Sequence, residues 1–171
     1  MARASLHGRQ PTSTTGCSQT LCHLAEWHEM KKLAQQVVDK AERAVDQLRD
    51  RSNDTLDYSE SSLAVVDEIL VEASDFLDET PEAHVDALVR LLGSYVLEVG
   101  RRALGGIYYW YEDRDQPVLV IGEPDYRVAI LAFDKIRGRL SGNEAANIPL
   151  FYRGMAKLAG DAKPGTDVLY D

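Results

Sequence analysis

The sequence predicts an α+β fold: an N-terminal antiparallel helical hairpin packed on a small antiparallel sheet of about three strands, followed by C-terminal helices. Three observations carry this expectation. Apolar residues recur at helical spacing from Leu33 to Val99, the period falls toward two after the pair Gly105–Gly106, and helical spacing resumes at Phe133.

A chain of 171 residues suits one domain, long enough to bury roughly two thirds of the surface that its unfolded form exposes. Apolar content of 44% and charged content of 27% are ordinary for a globular protein. No run approaches the roughly 18 apolar residues of a membrane span. The start, MARASLHGRQPTSTTG, has no apolar core of the secretory kind, and the chain holds only two cysteines. A cytoplasmic location is therefore expected. Residues 1–29 are rich in Ser, Thr and Gln and carry no acid before Glu26, so they are expected to form a disordered arm ahead of a single α+β domain over residues 30–171. Met30 opens a cleanly periodic stretch, and a chain beginning there is expected to fold.

The first helix places Val37, Ala41, Ala44, Val45 and Leu48 on one thinly apolar face. The second is announced by Asp57 and Glu60 at capping-box spacing, with Ser59 as a rival cap. Its stripe runs Leu63, Val66, Leu70, Ala73, Leu77 and is broadened by Ile69 and Phe76. Thr80 and Pro81 read as cap and first residue of the third helix, whose stripe is Val85, Leu88, Leu92, Tyr95 and Val99. The short link between these two helices predicts that they run antiparallel. IYYWY and PVLVIG, joined by EDRDQ, read as a hairpin, and YRVAIL as a third strand. FDKIRGRLSG and a segment entered near Pro149 are helical, and DAKPGTDVLYD reads as a tail.

Alternation puts Ile107, Tyr109 and Tyr111 on one face of the first strand and Tyr108 and Trp110 on the other. Both sets are bulky. One face belongs to the helix-covered core; the other is covered by the last helices, by a second copy in a homodimer, or serves as a stacking platform for a ligand.

The net charge of −9 is concentrated. Between Asp57 and Glu98 eleven acids face the single base Arg90, while the rest of the chain carries 17 acids and 18 bases. Such a segment repels phosphate backbones and attracts a basic protein or a cation. Glu68, Glu72, Asp75 and Glu79 follow at i+4 and i+3, which aligns four carboxylates along one side of the second helix as a candidate partner-binding surface. Glu98 precedes Arg101 and Arg102 and makes a favourable helical pair with the latter. With Arg102, Tyr108 and Trp110 it is the candidate lining of a pocket between the aromatic strand and the third helix. Lys135, Arg137 and Arg139 form a small basic face expected to pair with the acidic helices.

Catalytic sets are missing from the pattern. His84 has no serine elbow to serve, and Gly100, Gly105 and Gly106 precede no Lys-Ser/Thr of a phosphate loop. Cys17, Cys22, His23 and His28 are of zinc-ligand type, but their spacing matches no common finger and is read as chance clustering. No catalytic residue, metal or cofactor is expected.

LDYSESSLAVVDEIL, LLGSYVLEVGRRALGG, the Trp110 strand and FDKIRGRLSGN together resemble an uncharacterised family of small bacterial domains, over about Leu56 to Tyr152. The resemblance implies a bacterial source and an immunity or accessory role, and it carries no catalytic positions with it. The expected function is thus a noncatalytic module whose acidic helical surface engages a basic protein, with no role in binding nucleic acid or membrane. The runner-up is a ligand binder or enzyme using Glu98, Arg102, Tyr108 and Trp110.

Overall fold

The computed structural model describes residues 19–52 and 55–171. The first eighteen residues, most of the expected arm, lie outside that description, and so does Cys17 of the cysteine–histidine cluster. Helix α1 (Gln19–Ser52) is followed by α2 (Ser62–Ser74) and α3 (Glu82–Leu104), then strands β1 (Ile107–Tyr111), β2 (Gln116–Ile121) and β3 (Arg127–Ile130). Helices α4 (Phe133–Leu140) and α5 (Ile148–Asp161) precede a last strand, β4 (Asp167–Tyr170). The α+β class is as expected, and no described helix is long and apolar enough to cross a membrane.

Helix α1 starts ahead of the expected first helix, at Gln19, and passes through Met30. Helix α2 also starts later than the expected box. Asp57 accepts the Ser59 amide at 2.9 Å in a local turn, and the Ser59 hydroxyl reaches the Ser62 amide at 3.3 Å. The rival cap is thus the one in contact with the helix, and Glu60 has no capping role. At α3 Pro81 itself is the N-cap, its carbonyl accepting from His84 and Val85, while the Thr80 hydroxyl bonds back to the Phe76 carbonyl at 2.8 Å.

Helices α2 and α3 run antiparallel. Ser62 opens α2 beside Tyr95 in the second half of α3, while Ala73 near its end shares a groove with Val85 and Leu88 of the first half. The most extensive helix pairing is nevertheless α1 with α3, and α4 packs on both α2 and α3. Helix α1 approaches through small residues, Val37, Ala41 and Ala44, all fully buried. Helix α3 is central: from Leu92 to Gly100 every residue is buried, Ser94 and Glu98 included, so this stretch is enclosed all round rather than along one stripe. Two glycines make this possible. A Cβ on Gly93 would lie 2.3 Å from the Phe133 ring of α4, and one on Gly100 would lie 3.1 Å from Met155 of α5.

The sheet order is β1-β2-β3-β4. The first three strands pair antiparallel, with Tyr108 opposite Leu119 and Leu119 opposite Ile130. The expected tail supplies the fourth, which pairs parallel to β3, so the sheet is mixed. Its edge is pinned by Tyr170, whose ring stacks on Phe151 of α5 at 5.1 Å.

Tyr108 faces the helices and is 1% exposed. On the opposite face Val118, Val120, Ala129 and Leu131 form a second cluster, packed against Tyr109, Tyr111 and Leu169 from the sheet itself. Among the described residues, that cluster contains no side chain of α4 or α5, and Tyr109 and Tyr111 pack on it rather than stand as a bare aromatic platform. The Tyr109 hydroxyl is tied down at 2.8 Å by Glu123, which also pairs with Arg127 at 2.9 Å.

Candidate functional site

The acidic segment is largely consumed by the fold. Asp67, on α2, accepts both guanidinium nitrogens of Arg139 at 3.0 and 2.7 Å, the Asn147 amide at 3.0 Å and the Ile148 backbone N–H at 3.0 Å. Arg137 donates to Asp86 and, at 3.3 Å, to Glu82. Arg137 and Arg139 thus pair with the acidic helices as expected. Glu98 is likewise enclosed by its own arginines.

Of the four aligned carboxylates only Glu68 and Glu72 lie on α2. The helix ends at Ser74, and Asp75 and Glu79 stand in the turn beyond it, so the line is broken there. All four are exposed. Glu72 is held at 2.7 Å by Arg51 of α1, whereas Glu68, Asp75 and Glu79, together with Asp78, have no basic partner among the described residues.

Beside these carboxylates lies a feature the spacing did not reveal. Phe76, expected to broaden the buried stripe, is 62% exposed because α2 has already ended. It forms one wall of a groove of about 380 Å³, with Ala73, Leu77, Leu88, Leu91 and Leu140 along its sides and His84 at its edge. Arg51, held by Glu72, also lines the groove, while Asp75, Asp78 and Glu79 adjoin Phe76 and Leu77 in the chain without lining it. The one available signal was Phe76 standing between two acids where the helical pattern was about to end.

Of the runner-up residues, Glu98, Arg102 and Tyr108 meet, and Trp110 lies apart from them. Glu98 is 1% exposed and both its oxygens are engaged: Oε2 accepts from Arg101 at 2.8 Å and from the Tyr108 hydroxyl at 3.0 Å, and Oε1 accepts from Arg101 and Arg102, each at 2.8 Å. Burial alone pushes the Glu98 carboxyl upward, but the hydrogen bonds from Arg101, Arg102 and Tyr108 hold it below its ordinary value. Burial, reinforced by the Glu98 charge, pushes the Tyr108 phenol well up. The Arg102 guanidinium also lies 3.6 Å over the Tyr58 ring, which stacks on Tyr95 at 4.9 Å. A saturated buried carboxylate has no free lone pair for a substrate proton, so this cluster reads as a structural clamp.

Trp110 shares the helix-facing side of β1 with Tyr108 but lies toward the other end of the strand and is 44% exposed. It lines a separate cleft of about 380 Å³ between α1, α3, the β1–β2 turn and the start of α4. There Asp134 is engaged by Arg114 at 2.8 Å and Gln116 at 2.9 Å, and Asp86 by Arg137. Lys40 of α1 and Arg90 of α3 line the same cleft without a carboxylate partner among the described residues. Burial and then the charges of Arg90 and Arg43 push the Lys40 ammonium down from its ordinary value.

Comparison with protein-family models, curated proteins and solved structures found no match. The described residues contain no group of three or more His, Cys, Asp and Glu side chains placed to hold a metal ion.

Proposed function

We propose that the protein is a noncatalytic binding module that captures a basic, amphipathic segment of another protein in the groove walled by Phe76. The single observation that carries this reading is an open, mostly apolar groove walled by the exposed Phe76, in a stretch of chain whose Asp75, Asp78 and Glu79 are exposed and have no basic partner among the described residues. The trough supplies area for an apolar anchor, and the carboxylates supply steering and register. Charge complementarity selects the occupant. A second copy of this chain would bring its own acid-rich stretch around Phe76 against the same stretch, and a nucleic acid or an anionic membrane would be repelled by it. In biological terms the proposal is an inhibitor-like or immunity-like accessory protein of a bacterial cytoplasm, recognising its partner through a short lysine- or arginine-bearing stretch.

The test uses a dye-labelled amphipathic lysine–leucine peptide as probe and reads fluorescence anisotropy against the full chain. Binding at low salt that weakens at physiological salt, and that is lost in Phe76→Ser, supports the reading. Binding that ignores ionic strength, that survives Phe76→Ser, or that is absent at both salts overturns it. A doubled mass in sedimentation, abolished by Phe76→Ser, would assign the groove to self-association instead and also overturn it.

A further inference from the structure

The geometry points to a second site, in the cleft beside Trp110, for a small organic anion that carries a flat ring: its carboxylate or phosphate sits between Lys40 and Arg90 and its ring lies against the Trp110 indole. The cations that line this cleft are treated unequally. Arg114 and Arg137 are each neutralised, by Asp134 and Asp171 and by Asp86 and Glu82. Lys40 and Arg90 come from two different helices, line the same cleft, and form no ion pair among the described residues, although Asp115 of the β1–β2 turn lines that cleft too. In a chain of net charge −9, acids to neutralise them are abundant, yet the fold leaves this pair unpaired. Burial first, and then the charges of Arg90 and Arg43, lower the pKa of the Lys40 ammonium.

The remaining wall fits the other half of such a ligand. Trp110 presents a partly open indole, a surface on which planar groups stack. Gln116, only 2% exposed, donates to Asp134 and accepts the Phe133 backbone N–H at 3.2 Å, so the floor is hydrogen-bonded and fixed before any ligand arrives. A volume of about 380 Å³ lies within the range of small-molecule sites. An anion alone would leave the indole unused, and a neutral ring would leave the two cations unused. The site does not depend on the docking groove, since Asp86, Val89 and Arg90 line this flank of α3 while His84, Leu88 and Leu91 line the other.

Phenyl phosphate and benzoate are the probes, with inorganic phosphate and phenol as the half-ligands. The readout is quenching of Trp110 in a Trp27→Phe background, which leaves one of the two tryptophans of the chain. Saturable quenching by phenyl phosphate or by benzoate, tighter than by either half-ligand and weakened about tenfold or more in Lys40→Gln and in Arg90→Gln, is the expected result. Which of the two probes binds tells phosphate from carboxylate. Circular dichroism of each variant verifies that the fold is retained. No saturable quenching by either probe, equal binding of phenol, or binding unchanged in both charge variants overturns the site. The Phe76→Ser protein is expected to bind these probes normally, so failure here leaves the groove proposal standing, and the reverse also holds.

Discussion

The Tyr108 hydroxyl donates to the buried carboxylate of Glu98 at 3.0 Å, which locks the aromatic strand to the central helix. Removing that donor in Tyr108→Phe leaves the carboxylate with its arginines and is expected to cost about 1–2 kcal/mol in urea unfolding. Glu98→Ala removes the acceptor of these bonds but leaves Arg101 and Arg102, 38% and 43% exposed, open to solvent, and is expected to cost about 1–3 kcal/mol. The folded-state pKa of Glu98 is depressed, so its contribution is present above the ordinary carboxyl value of 4.5 and is lost as pH falls through the folded value. Stability measured below that pH is therefore expected to fall less steeply in Glu98→Gln than in the wild type.

Asp67 joins α2 to α4 and α5 through four hydrogen bonds. Asp67→Ala is expected to destabilise by about 3–5 kcal/mol because the Arg139 guanidinium, itself mostly buried, loses its only ion-pair partner among the described residues. The double variant Asp67→Leu, Arg139→Met is expected to lose much less than either single change, and chemical denaturation of the three proteins checks it.

Ser94 lies on α3 with its hydroxyl buried and without a hydrogen-bond partner among the described residues. Ser94→Ala removes an unsatisfied polar group and is expected to raise stability by about 1 kcal/mol, read as a higher urea midpoint at unchanged slope.

The last strand, paired with β3, is also tied to α5 through Tyr170. A Cβ on Gly154 would meet the Tyr170 hydroxyl at 2.0 Å, so Gly154→Ala is expected to push the Tyr170 ring off Phe151 at a cost of about 1–3 kcal/mol. Hydrogen exchange checks it: the Leu131 amide, which donates to the Tyr170 carbonyl at 3.0 Å, is expected to lose protection ahead of the rest of the sheet.

The carboxylates near the groove are expected to differ in weight. Asp75→Asn and Glu79→Gln should each weaken binding of the lysine–leucine peptide by roughly two- to fivefold at low salt, or about 0.5–1 kcal/mol for an exposed pair. Glu72→Gln should do less, because Arg51 already holds that side chain. Anisotropy titrations of the three variants decide the order.

The parts of this fold that were legible in the sequence are those written as a period. The α2 and α3 stripes, the IYYWY–PVLVIG hairpin and the helices after Phe133 were all readable because each element's own spacing encodes its buried face. What was hidden depends on partners distant in sequence. The leading α1–α3 seam uses Val37, Ala41 and Ala44, small residues whose stripe is thin although every one is fully buried. Strand β4 is four residues in a segment rich in Gly, Pro and Asp, and only its pairing with β3 makes it a strand. The charge count identified an acidic segment but could not tell Asp67 and Glu98, buried and paired, from Asp75 and Glu79, open to solvent. The groove escaped for a related reason, since Phe76 joins the apolar stripe on paper and leaves it only because α2 stops at Ser74.

The measurement that reaches the central claim most directly is amide chemical-shift mapping of the full chain during titration with the unlabelled lysine–leucine peptide. The account predicts the largest shifts at Ala73, Phe76, Leu77, Leu88 and Leu91, fading as salt is raised. Shifts gathered on the outer face of the sheet around Tyr109 and Tyr111, or no localised shifts at all, would contradict it.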